Sequence, residues 1–213
     1  SWKNINDIEK ALENSLKNLQ TDVIDLYQIH SWQESIPMED TFSKLIELKE
    51  KGYFKYLGVS NFSAKQIEKM NKFSDNQIIS SQPHFSILFR HSEKEIIPQS
   101  HSLGIGSIVY SPIARGLLSG KYKPGHIFNE DDARHNHHTF EDEHLEKGLR
   151  IYNILLEWIK DKGFNPTQLA IAWTLYTDGV TSAICGSKNP EQAISNAKAC
   201  LLYTSDAADE QQR

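Results

Sequence analysis

Five polar clusters in this chain close short apolar runs: His30, Ser60-Asn61, Gln82, Tyr110-Ser111 and Gly186-Ser187-Lys188. Their types could do complementary chemistry. Histidine can donate a hydrogen bond to an oxygen on which negative charge develops. Asparagine and glutamine each carry a donor and an acceptor. Lys188 stands just before Asn189-Pro190, and a cation beside a helix N-terminus favours an anion. Each cluster alone is an ordinary set of turn residues. Their joint placement is the signal.

The elements that would position them follow from periodicity. Ile5, Ile8, Leu12, Leu16 and Leu19 form one helical stripe, broken at Thr21-Asp22. Residues 23–29 read as a strand ending at His30. A helix opened by Pro37 follows, with Lys49 and Lys51 at its C-terminal end and Gly52 just past it. Residues 56–59 are a strand, and Ser63 with Gln66 has capping-box spacing. Residues 77–82 are a strand, and 94–103 a helix bent near Pro98. Residues 106–110 are a strand, 121–143 a long polar surface loop and 145–162 a helix. Asn165-Pro166-Thr167-Gln168 caps another helix, 180–184 is the last strand, and Asn189-Pro190-Glu191-Gln192 caps the last helix.

Strands alternating with helices imply right-handed crossovers and a parallel sheet. In a parallel barrel the active site lies at the C-terminal strand ends, where all five clusters fall. The fold class is therefore α/β, an incomplete (β/α)8 TIM barrel. About five of the eight β/α units are expected, with the N-terminal strands missing, because a closed barrel takes ~250 residues.

Bulk properties exclude other classes. A chain of 213 residues is one domain in length, and its net charge of −5 gives no reason to expect a nucleic-acid partner. No apolar run approaches the ~20 residues of a membrane helix. Two cysteines, Cys185 and Cys200, make no disulfide framework, which suits a reducing, cytoplasmic compartment. The domain is expected over residues 1–199, and 200–213 read as a non-native tail. Oligomeric state is not set by the sequence.

Four motifs stand in order: Asp25-Leu-Tyr-Gln-Ile-His30, Gly58-Val-Ser-Asn-Phe62, Tyr110-Ser-Pro112 with Arg115-Gly-Leu-Leu-Ser-Gly-Lys-Tyr122, and Gly186-Ser-Lys-Asn-Pro-Glu-Gln192 with Asn196. Together they resemble the signatures of the aldo/keto reductase family, over about residues 5–199. The third motif with Asp132-Ala-Arg134 is most similar to the family's microbial broad-range branch. The resemblance implies NADPH-dependent reduction of aldehydes or ketones to alcohols, with NADP as cofactor and a small carbonyl compound as substrate.

The resemblance also implies roles. His30 would be the catalytic residue that orients and polarises the carbonyl. Ser60, Asn61 and Gln82 would bond the nicotinamide carboxamide, and Tyr110 would stack on its ring. Ser111, Ile113 and Arg115 would wrap the pyrophosphate. Ser187 and Lys188 would meet the adenosine 2′-phosphate, and Gln192 and Asn196 the adenine. Many members have Arg at the place of Gln192 and Glu at that of Ser195, so the preference for NADP over NAD is left open. The family's set also includes an Asp, a proton-donating Tyr and a Lys. No Asp-x-Ala-x-x-Tyr-Gly segment is present, and Tyr27, Tyr53 and Tyr110 follow no such motif. Those three residues are expected upstream of Ser1, and the 213 residues alone are expected to aggregate or be inactive. Because the family includes potassium-channel β subunits, a cofactor-binding regulatory subunit is the alternative.

Other signals carry less. His126, His135, His137 and His138 lack a fixed ligand spacing, so no metal is expected. Gly104-x-Gly106 precedes a strand, unlike a Rossmann fingerprint. Trp158 and Trp173 read as packing residues, and Trp32 as a wall of the substrate pocket.

Overall fold

Capping chemistry starts several of the helices where the sequence places them. Ser63 accepts from the Gln66 N–H while the Gln66 side chain accepts from the Ser63 N–H, and Asn165 with Gln168 does the same. The computed structural model describes residues 4–32 and 34–202. In chain order its elements are α1 (Asn6–Leu19), β1 (Ile24–Ile29), α2 (Met38–Glu50), β2 (Phe54–Ser60), α3 (Ala64–Phe73) and β3 (Ile78–Gln82). Then come α4 (Ile96–Ser102), β4 (Gly106–Tyr110), α5 (Asp142–Trp158), α6 (Pro166–Leu175), β5 (Val180–Ile184) and α7 (Pro190–Ala197). Pro98 is the third residue of α4, where a helix has no N–H partner to lose. The proline therefore marks the helix start. From residue 203 on, the expected tail lies outside the described residues.

The strands are hydrogen-bonded in the order β1-β2-β3-β4-β5, and β1 to β4 pair in parallel. The chain divides into two compact units, Ser1–Pro83 with Lys94–Ile108 and His84–Glu93 with Val109–Arg213. The first unit is built on Ile8 and Leu12 of α1, Phe42 and Leu45 of α2, and Phe54 and Leu57 of β2, all buried. The second is built on Leu88, Leu117, Leu118, Leu145 and Ala170. Among the described residues no helix is long and apolar enough to cross a membrane.

Residues 121–143 are the largely exposed loop that their polarity predicts, but one pinned by aromatic residues that the reading did not foresee. Tyr122 and Phe128 are nearly buried, a 3₁₀ turn spans His138–Phe140, and α5 begins at Asp142. Phe128 packs against Phe140 at 4.6 Å and Tyr122 at 5.3 Å, and the Arg134 guanidinium lies 4.6 Å from the Phe128 ring. Three aromatic residues at irregular spacing bury large areas without leaving a period to read. Trp158 also departs from expectation. It is 54% exposed, and the Lys162 ammonium sits 3.7 Å from its ring centroid. It ends α5 on the solvent side instead of packing. Trp173 stacks on Phe85 at 5.5 Å, with Arg90 5.1 Å from its ring.

Candidate active site

In the first unit, the ends of β1, β2 and β3 bring four of the expected residues together. The Ser60 hydroxyl, buried, donates to the Gln82 carbonyl at 2.8 Å. Asn61 adopts φ 57°, a conformation its short amide tolerates, and donates to the His30 carbonyl at 2.8 Å and to Ser60 Oγ at 3.2 Å. The Gln82 amide donates to Gln28 Oε1 at 2.7 Å. His30 is exposed, just past β1.

Beneath this rim lies a second polar row. Gln28 pairs with Gly58, and Gly58 with Ser80. The Gln28 amide passes over Gly58 and donates to Ser80 Oγ at 2.9 Å. A Cβ on Gly58 would come 2.2 Å from Ser80 Oγ and 2.8 Å from Gln28 Cγ. The glycine is therefore needed for close approach. The sequence reading missed Gln28, Gly58 and Ser80. The signal was available: each stands two residues before His30, Ser60 or Gln82, and strand side chains two apart share a face.

In the second unit, the other eight expected residues line one cleft of about 970 Å³: Tyr110, Ser111, Ile113, Arg115, Ser187, Lys188, Gln192 and Asn196. The segment after β4 turns sharply, with positive φ at Ser111, Ala114 and Arg115. At the start of α7, Asn189 accepts from the Gln192 N–H, and Gln192 Oε1 accepts from the Lys188 N–H at 2.8 Å. Asn196 donates to Ser187 Oγ at 3.1 Å. Burial raises the Tyr110 phenol above its ordinary range, opposed by the nearby Arg115 cation.

The cleft is cationic. Among the described lining residues, Arg115, Lys121, Arg134 and Lys188 face one carboxylate, Asp132. Arg134 donates to both Asp132 oxygens and to the Tyr122 hydroxyl. Those bonds hold the Asp132 carboxyl well below the usual range, and the Lys188 charge lowers it further. Sequence reasoning also missed Tyr152, Asn165 and Thr167 as lining residues, and weighed Ser195 only as a departure from the family pattern. Asn165 was legible only as a cap. Its amide also reaches Ser195 Oγ at 3.3 Å, tying the start of α6 to α7.

The model of the aldo/keto reductase family matches residues 2–212. The chain belongs to the aldo/keto reductase family. It is 33% identical to aldo-keto reductase YhdN of Bacillus subtilis (strain 168), over 95% of this chain and 61% of that protein. It is 34% identical to probable aldo-keto reductase 1 of Glycine max, over 88% and 54% of the two chains. Among solved structures, the glycerol dehydrogenase AKR11B4 of Gluconobacter oxydans superposes with a TM-score of 0.81 at 29% identity, over 93% of this chain and 59% of that one. The chain thus spans less than two thirds of the length of these relatives. Its five strands with alternating helices are part of the (β/α)8 barrel of the reductases.

In this chain the four loop histidines have structural partners. His135 Nδ1 lies 2.9 Å from the Phe128 carbonyl, and His137 Nδ1 accepts from the Thr139 N–H. His138 packs on His137 at 4.2 Å, and His126 packs edge-on to Phe128 at 4.6 Å. Among the described residues no group of three or more His, Cys, Asp or Glu is arranged to hold a metal ion. Trp32 packs against the first core, its indole N–H donating to the Ile36 carbonyl at 3.1 Å.

Proposed function

We propose that the protein carrying this chain is an NADPH-dependent reductase of aldehydes and ketones. The observation that carries the reading is the cationic cleft of the second unit, set in a chain whose net charge is −5. Four cations against one carboxylate suit a ligand bearing several phosphates. Tyr110 adds an aromatic face for a planar ring.

Each residue set then has a task. Ser111, Ile113 and Arg115 hold the pyrophosphate. Ser187 and Lys188, ahead of α7, hold the adenosine 2′-phosphate. Gln192 and Asn196 face the adenine. In the first unit, Ser60, Asn61 and Gln82 bond the carboxamide through groups already fixed by one another. When bound, NADPH would supply a hydride to the carbonyl carbon, and the proton that completes the alcohol would come from the tyrosine that the family resemblance implies. His30 donates a hydrogen bond to the carbonyl oxygen, where negative charge grows as the bond order falls. A donor aimed at that oxygen stabilises the transition state more than the ground state. The two cysteines are unpaired, in keeping with a cytoplasmic location.

The test is NADPH consumption by the full product of the gene, with a panel of aldehydes and ketones. The expected result is cofactor-dependent reduction that His30→Ala removes, with NADP bound more tightly than NAD. No consumption across the panel, together with no NADP binding, would overturn the reading.

A further inference from the structure

His84 has no part in the roles above, yet it is built against one of the residues that do. An isolated parallel bridge joins it to Tyr110, the last residue of β4. The neighbouring Phe85 N–H donates to the Tyr110 carbonyl at 3.3 Å. The Ser92 hydroxyl donates to the His84 carbonyl at 2.8 Å, fixing the backbone from the other direction. With the backbones paired, the side chains stack. Their centroids are 5.0 Å apart and their planes differ by 10°. Phe89 adds a second aromatic contact to the imidazole at 4.9 Å.

The chemistry of the imidazole is muted here. Nε2 is buried without a hydrogen-bond partner among the described residues. Burial, helped by the charges of Arg115, His138 and His137, pushes its pKa down to about 4. The ring is neutral near pH 7 and presents a flat π face to Tyr110. Tyr110 in turn lines the cleft.

We propose that His84 is a positioning residue that backs the Tyr110 ring and sets the angle at which this ring meets a planar heterocycle in the cleft. The inference rests on the reading that Tyr110 takes a nicotinamide ring. It predicts that His84 acts on the nicotinamide end of the cofactor alone. Adenosine 2′,5′-bisphosphate, which lacks that end, is the control ligand.

The experiment measures, by calorimetry on the full-length protein, binding of NADP and of adenosine 2′,5′-bisphosphate. His84→Ala should weaken NADP roughly three- to tenfold, the scale of one aromatic pair, and leave the bisphosphate unchanged. His84→Phe keeps a flat face and should restore wild-type binding. In a Tyr110→Ala background, His84→Ala should have no further effect, because the two act as one unit. If His84→Ala does not fold, His84→Leu fills the volume without an aromatic face and carries the same expectation. Equal weakening of both ligands, no weakening of either, or a His84→Phe variant as poor as His84→Ala overturns the inference alone. A wild-type protein that binds neither ligand overturns the reading of the cleft and the inference with it.

Discussion

The two units carry polar groups in opposite ways. In the first, the rim and the row beneath it are bonded to each other: Ser60 to Gln82, Gln82 to Gln28, and Gln28 to Ser80. In the second, the polar groups surround an open volume, and cations outnumber carboxylates among its described lining residues. Under the proposed function the difference follows from what each set would do. Groups that bond one carboxamide gain from being fixed in advance, because less freedom is lost on binding. A cradle for phosphates gains from charge and room.

That contrast can be broken or sharpened, and the largest effect is expected at His30. His30→Ala should lower kcat for carbonyl reduction on the order of a hundredfold or more, with NADP affinity unchanged. A loss of affinity in place of turnover would place His30 among the binding residues. Next comes Lys188→Ala, measured by titration with both nucleotides. It should weaken NADP roughly tenfold through one lost charge-assisted contact and leave NAD unaffected. Equal loss for both would remove Lys188 from the 2′-phosphate.

Two glycines compare the crowding of the sets directly. Gly58→Ala should destabilise the protein by about 1–3 kcal/mol in denaturant unfolding, the usual penalty of overpacking, because Ser80 and Gln28 occupy the space. Gly186→Ala should stay within about 0.5 kcal/mol, since nothing lies within 4 Å of the added atom. Similar penalties at both would erase the contrast.

The smallest effect is a pH slope. The His84 pKa falls from 6.5 to about 4 on folding. As pH drops from 6.5 toward 4, the unfolded chain takes up a proton that the folded one refuses. Stability from this group is therefore present above 6.5 and lost on acidification. His84→Phe should flatten that part of a plot of unfolding midpoint against pH. An unchanged slope would assign the acid sensitivity to other groups.

Much of this was legible in the residues. The strand Gly106–Tyr110 has the ends the sequence predicts, because glycine and Ser-Pro punctuate it. The caps at Ser63 and Asn165 form the bonds their spacing predicts. The eight residues that the family resemblance assigns to the second unit all line its cleft, which other residues line as well. What escaped depends on neighbours far along the chain. The stacking of His84 on Tyr110 is set by an isolated bridge from a residue beyond β3 to the last residue of β4, which no local pattern encodes. Tyr122, Phe128 and Phe140 form a cluster from three irregular positions. Gln28, Gly58 and Ser80 escaped for a different reason, since only the strand ends had been read for chemistry.

The turn after β4 has a last consequence. Arg115 sits in the left-handed region at φ 55°, which costs an L-residue roughly 1–2 kcal/mol relative to its ordinary conformations. Glycine would rest there without that penalty. The exchange Arg115→Gly would make the chain sturdier while removing a positive charge from the cleft wall. Backbone stability and the proposed phosphate binding thus pull this one position in opposite directions.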